Sequence, residues 1–186
     1  GRAVHVKYDN ISPIRSFKIR GALVAISALT TSGEVSGATT ASTGNHGQAL
    51  AFAGHHFGVP VTVVVPKNAE AAKVAALHSL GASLEIYGNN LSEAQDRAQQ
   101  LATERGALFI EDGEHLGLMA GAGSLIAEML EQAPELETVI VPVGGGNLIA
   151  STLAASAQSA PQLTIVGVQS SAAPGATESW LAGDVV

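Results

Sequence analysis

Short runs of β-branched residues alternate along this chain with helix-length stretches of roughly four turns, and no other feature restricts the fold as much. Candidate strands are Val4–Tyr8, Val35–Thr40, Val61–Val65, Ser83–Tyr87, Leu108–Ile110, Val139–Val143 and Thr164–Val168. Between them lie candidate helices at Lys18–Thr31, Gly47–Phe57, Ala69–Leu80, Ser92–Arg105, Leu116–Gln132 and Leu148–Ala157. Ser92 reads as the cap of its helix, and Arg105-Gly106 as its basic last turn and glycine stop. Strand–helix–strand units of this kind build open, twisted, mostly parallel sheets with helices on both faces. Such a sheet must be apolar on both sides, and only 13% of the residues are charged against 46% hydrophobic. At about 150 residues per domain, 186 residues make one domain or parts of two. The chain opens in a strand-like alternation, Arg2-Ala3-Val4-His5-Val6, and stops after a helix-like turn at Ser179–Asp184. Truncation of a longer chain at both ends is the expectation.

Charge removes several classes of function. The net charge is −7 and no Lys/Arg cluster occurs, which argues against nucleic acid or an anionic membrane as partner. The apolar runs Val61–Val65 and Val139–Val143 are far shorter than the ~20 residues that cross a bilayer, so no membrane span is expected. There is no Cys, hence no disulfide framework and no thiolate site, and a cytoplasmic location is the default. His5, His55, His56, His78 and His115 show no metal-ligand spacing beside acidic partners, so no metal site is expected. His55-His56 reads as a helix end.

Two strand-to-helix junctions are richer than an ordinary cap requires. In Val143-Gly144-Gly145-Gly146-Asn147 bare backbone amides can turn toward one anion at a helix N-terminus, which reads as a phosphate cup. The blander reading is a tight turn with close helix–sheet packing. In Ala41-Ser42-Thr43-Gly44-Asn45-His46-Gly47 hydroxyls, an amide and backbone N–H groups gather where ligands of open α/β sheets bind, and together they suit a carboxylate. The alternative is a plain N-cap by Ser42 or Asn45, with His46 a packing residue.

A phosphorylated cofactor beside an amino acid would need an amine, and the chain has four lysines. Lys7 falls in a candidate strand, Lys67 in a loop and Lys73 on a polar helix face. Lys18, at the start of an apolar helix, is the candidate, because burial there would favour an uncharged, nucleophilic amine. Taken alone, a snorkelling or paired surface lysine is the commoner case.

Three motifs in order carry a resemblance: Ser16-Phe17-Lys18-Ile19-Arg20-Gly21-Ala22, Ser42-Thr43-Gly44-Asn45-His46-Gly47 and Pro142-Val143-Gly144-Gly145-Gly146-Asn147-Leu148. They resemble the fold type II pyridoxal-phosphate enzymes, most closely the threonine/serine dehydratases and serine racemase, over essentially the whole chain. The resemblance implies pyridoxal 5′-phosphate carried by Lys18, with Phe17 against its ring and Asn45 on its 3′-oxygen. It implies Gly144, Gly145, Gly146 and Asn147 on the phosphate, and Ser42, Thr43 and His46 on the substrate carboxylate, with Lys18 and Thr43 as the catalytic pair. It implies two lobes, a smaller one over 37–115 and a larger cofactor-binding one from 1–36 and 116–186, and a homodimer.

Four departures from the family pattern stand out, three of them at single positions. Arg15 stands where a glycine is usual before the Ser of the lysine motif. Thr43 stands where a racemase would carry a serine as its second base. Gln169 replaces a Glu that in many relatives helps bind a divalent cation. The resemblance also implies a further stretch, expected beyond Val186, that would give a Ser or Cys to the pyridine nitrogen. The expected activity is β-elimination and deamination of a hydroxy amino acid, threonine or serine, to a 2-oxo acid and ammonia. Amino-acid racemisation on the same scaffold and a non-catalytic fragment are the alternatives.

Overall fold

In the computed structural model, which describes residues 3–33 and 35–186, β1 (Ala38–Ala41) pairs in parallel with β2 (Val61–Val65) on one side and β4 (Leu108–Phe109) on the other. β3 (Ser83–Ile86) extends this sheet on the far side of β2, giving the order β3-β2-β1-β4. The register sets Ala38 against both Val61 and Leu108. All five residues of β2 are buried, as an unbroken valine-rich run in a central parallel strand must be. Val63 and Val65 pack with α1 (Lys18–Ser32) and α2 (Asn45–Phe57) through Ala22, Ile26, Ala49 and Leu50. Val64 points the other way, to Ala94, Ala98 and Leu101 of α4 (Leu91–Arg105). The period-two pleat therefore covers the sheet with helices on both faces. The buried Thr39 hydroxyl donates to the Ala98 carbonyl at 2.9 Å, so α4 is tied to the sheet without an orphaned polar group.

The chain divides into two compact units, Gly1–Gly121 and Ala122–Val186. The first also contains α3 (Ala71–Ser79) and residues 116–121 of α5 (Leu116–Gln132). Here α1 and the start of α5 meet backbone to backbone. A Cβ on Gly21 would lie 2.6 Å from the Leu118 carbonyl oxygen, and one on Gly121 would lie 2.3 Å from that of Arg20. In the second unit β5 (Thr138–Pro142) and β6 (Thr164–Val168) form a parallel pair in register from Thr138↔Thr164 to Pro142↔Val168. Val139 and Val141 pack on Ile126 of α5 with Leu148 and Ile149 of α6 (Asn147–Ser159) beside them, while Ile140 faces outward. α7 (Gly175–Ala182) follows. No helix among the described residues is long and apolar enough to cross a membrane.

The expected elements form within a few residues of their expected ends, with two corrections. Val4–Tyr8 is not a strand: it joins neither sheet, and Val4 and Val6 stay 85% and 63% exposed. Alternation sets which side a residue faces, but a strand also needs a partner ladder. The segment instead leads into a 3-10 turn at Asp9–Ile11, where Asp9 receives a two-pronged ion pair from Arg20 of α1. Arg2 of that alternation lies outside the described residues. The cap of α4 is Asn90 rather than Ser92, its Oδ1 accepting the Glu93 N–H at 2.9 Å. Gly106 ends that helix in the left-handed conformation, as expected.

Arg15 is the one non-glycine with positive φ among the described residues, at 56°. The family's glycine is absent at the position where the backbone calls for one, so the turn into α1 carries a steric cost on the order of 1 kcal/mol. Two substitutions in this stretch should act in opposite directions. Arg15→Gly should stabilise by up to about 1 kcal/mol. Gly21→Ala should destabilise by about 3 kcal/mol, since neither backbone at the α1–α5 crossing can yield. Urea unfolding of the two variants reads both. A Gly21→Ala protein as stable as its parent would show that the crossing is slack.

Candidate active site

The lysine motif is shaped before the helix begins. Ser12 Oγ accepts the Ser16 N–H and donates to the Ser16 carbonyl, both at 3.0 Å, and the Ser16 hydroxyl then accepts the Lys18 N–H at 3.3 Å. With Phe17 at the cap position, Lys18 becomes the first residue of α1. Its side chain is 27% exposed, and its amine forms an ion pair with the carboxylate of Asp112. The full burial expected of this side chain is therefore not what occurs. The segment Glu111–His115 that follows β4 presents a counter-ion at this position, so the ammonium is paired rather than sequestered.

The second motif leaves the C-terminal end of β1. Ser42 Oγ accepts the Gly44 N–H at 3.1 Å, closing a tight turn, and α2 starts at Asn45 with no side-chain cap on its first N–H groups. Asn45 is exposed and Thr43 half-buried, while His46 is only 3% exposed. His46 Nε2 lies 3.1 Å from the Ile110 carbonyl and 3.1 Å from Thr40 Oγ1. A carbonyl can only accept, so Nε2 carries the proton and Nδ1 presents a lone pair. Burial pushes this imidazole below its ordinary pKa, the Lys18 charge adds to the push, and the Asp112 carboxylate and the Ile110 carbonyl oppose it. Nδ1 stands 3.7 Å from Asp112 Oδ1. Lys18 and His46, expected together from sequence, thus lie at the two oxygens of one carboxylate.

The third motif belongs to the second unit. Gly144 and Gly145 have no atom within 4 Å of where a Cβ would stand, and Gly146, at φ 90°, caps α6 without any side-chain hydrogen bond. Asn147 Nδ2 and Ser151 Oγ, one turn apart on α6, are buried with no hydrogen-bond partner. Open space above bare amides, an uncapped helix start and an orphaned buried donor fit a phosphate-bearing group. Gln169, where relatives carry a cation-binding Glu, instead accepts from the backbone N–H of Thr177 at 2.9 Å and from its hydroxyl at 3.0 Å.

Sequence reasoning missed Asp112. Residues 111–115 leave a strand paired in parallel with β1 and so emerge at the same edge as Ser42–His46, a neighbourhood that only the strand order reveals. It was overlooked because the segment lacks the glycine-rich signature of the other two loops.

A family model described as pyridoxal-phosphate dependent enzyme matches residues 1–186. The chain is 38% identical over its whole length to an L-threonine ammonia-lyase of Geobacter sulfurreducens, of which it covers 46%. It superposes on the processed form of threonine deaminase isoform 2 from Solanum lycopersicum with a TM-score of 0.90 at 33% identity, covering 97% of this chain and 52% of that one. For the serine racemase of Dictyostelium discoideum the TM-score is 0.85 at 32% identity, with 91% and 55% covered. The chain spans about half the length of these relatives. The match over the whole length of the chain shows that it belongs to the pyridoxal-phosphate dependent enzymes of fold type II, the group of threonine/serine dehydratases and serine racemases.

Proposed function

We propose that this chain supplies the lysine, the carboxylate loop and the phosphate loop of an ammonia-lyase that eliminates the β-hydroxyl of threonine or serine and releases a 2-oxo acid and ammonia. The observation that carries the reading is the bridging of Lys18 and the α2 N-terminus by Asp112, which brings a nucleophilic amine and a carboxylate-type loop to one place. Bound pyridoxal 5′-phosphate supplies an aldehyde that takes up amines and a ring that spreads carbanion charge. Lys18 carries the cofactor and, once free, removes the substrate α-proton at its Nζ. Ser42, Thr43 and His46, through hydroxyls and the first N–H groups of α2, hold the substrate carboxylate, while the His46 ring, locked by Ile110 and Thr40, keeps that turn in shape. Phe17 packs at the ring, Asn45 binds its 3′-oxygen, and Gly144, Gly145, Gly146 and Asn147 bind the phosphate.

A smaller lobe over 37–115, holding all of the β3-β2-β1-β4 sheet, and a larger one from 1–36 and 116–186 go with this reading. So do a homodimer and a cytoplasmic location. The naming of the Geobacter sulfurreducens relative as a threonine ammonia-lyase supports the substrate class. A racemase is the second reading, favoured by the similarity to the Dictyostelium discoideum serine racemase.

Three experiments test this. Borohydride reduction of the cofactor-loaded protein followed by peptide mapping should label Lys18, and Lys18→Ala should take up no label; label on Lys7, Lys67 or Lys73 would refute the assignment. Gly145→Asp should weaken cofactor binding by about tenfold or more, through like-charge repulsion, while unfolding unchanged. The protein tolerates a side chain there, since nothing lies within 4 Å of it, so equal affinity would sink the phosphate loop. Finally, L-serine in deuterated water should yield mostly 2-oxo acid, because β-branched Thr43 is a poorly adaptable second base, and Thr43→Ser should raise the share of deuterated D-serine. Dominant D-serine from the parent protein would select the racemase.

A further inference from the structure

The loop after β4 holds a carboxylate that no part of the elimination so far requires. Asp112 is half exposed, with Oδ2 on the Lys18 amine and Oδ1 3.7 Å from His46 Nδ1. The hydrogen bond from His46 Nε2 to Ile110 fixes the tautomer so that Nδ1 offers only a lone pair. Toward an ionised carboxylate a lone pair is of no use. Toward a protonated carboxyl it is an acceptor already in place. The arrangement therefore suits Asp112 in the form it takes after receiving a proton.

We propose that Asp112 accepts the proton that Lys18 must shed before its amine can bond an aldehyde carbon, with His46 Nδ1 receiving the hydrogen bond of the carboxyl so formed. The inference rests on Lys18 being the cofactor lysine. The Lys18 Nζ–H bond breaks and the proton passes to Oδ2, leaving an uncharged amine and a neutral carboxyl. A half-turn of the exposed carboxyl then brings its O–H to Nδ1. The amine nitrogen bonds the aldehyde carbon and the aldehyde oxygen departs as water. The proton lent to Asp112 returns to the new C=N nitrogen, which is a cation again beside a carboxylate. Asp112 is thus a catalytic residue for attachment, and His46 a positioning residue.

The charged groups acting on His46 are Asp112, from the loop after β4, and Lys18, from the first turn of α1, with opposite signs. In the cofactor-free protein, Asp112→Asn should move the His46 titration still lower, and Lys18→Met should move it up. Histidine resonances followed by NMR through a pH series read this without any cofactor, and a His46 midpoint that neither variant moves would overturn the proposal. In the full-length protein, rapid-mixing absorbance should show pyridoxal 5′-phosphate capture slowed by about tenfold or more in both Asp112→Asn and Asp112→Ala. Added formate should restore the rate in Asp112→Ala, where it fills the vacated place, and not in Asp112→Asn. Capture by Asp112→Asn as fast as by the parent, or formate without effect on Asp112→Ala, would show that the carboxylate carries no proton. If reduction instead maps the cofactor of the parent protein to another lysine, the Lys18 reading itself has failed, an outcome separate from the histidine titrations.

Discussion

Parallel pairing of β1 with β4 is the constraint on which the site in the first unit depends. Parallel strands end at a common edge, so the turn after β1 and the segment after β4 must emerge side by side, as an antiparallel pair could not arrange. The ladder bond from the Ile110 N–H to the Thr39 carbonyl, at 2.9 Å, carries that alignment to the last residue before the loop. The Ile110 carbonyl then accepts from His46, which sets the imidazole tautomer, and two residues later Asp112 meets its Nδ1. A backbone register thus decides which nitrogen of a side chain is bare.

What brings Lys18 to that edge is a different kind of contact. α1 lies on α2 through Ala22, Ile26, Ala49 and Leu50, and against α5 at glycines where no Cβ fits. Contact at backbone distance leaves no flexible side chain to absorb a shift, so the axis of α1, and with it the position of its first residue, is set by main-chain atoms. If Lys18 is the cofactor lysine proposed above, its amine gains from such rigidity, because misplacement by an ångström is costly in rate. The same economy explains why the turn into α1 tolerates Arg15 at positive φ: the hydrogen bonds around Ser12 and Ser16 and the packing behind it impose the conformation on a residue that disfavours it.

The elements of this fold were legible in the sequence wherever one periodicity acted alone. β2 is five buried residues in a row and α5 runs over the expected residues, since apolar pattern and burial coincide there. Val4–Tyr8 misled because alternation says nothing of whether a neighbouring strand exists. Asn90 was missed as a cap because Ser92 offered the same chemistry two residues on, and which hydroxyl or amide meets the first turn depends on where the chain enters it. In the proposed site, the lysine, the hydroxyl-rich turn and the glycines stood out as candidates because each departs from what an ordinary turn needs. Asp112 did not, since a lone carboxylate in a polar loop resembles any solvated residue until strand order reveals what stands opposite.

Charge is distributed unevenly between the two units, and this bears on how a phosphate can be held. All nine Lys and Arg residues lie within 1–121, whereas 122–186 contains only acidic charges, at Glu128, Glu131, Glu135, Glu137, Glu178 and Asp184. A phosphate at Gly144–Asn147 would find no cationic side chain in its own unit. Within that unit the work would fall to N–H groups at the start of α6, to the positive end of that helix and to the neutral amide of Asn147. Amide dipoles reach only a few ångströms, so the anion must come against the backbone itself, and the bare glycines at 144 and 145 permit that approach. A mobile Lys or Arg could reach across a looser turn and would forgive a Cβ there. Within its own unit a phosphate would meet neutral donors alone, and there geometry would have to supply what charge does not, a physical reason for three consecutive glycines where an ordinary strand-to-helix turn makes do with one.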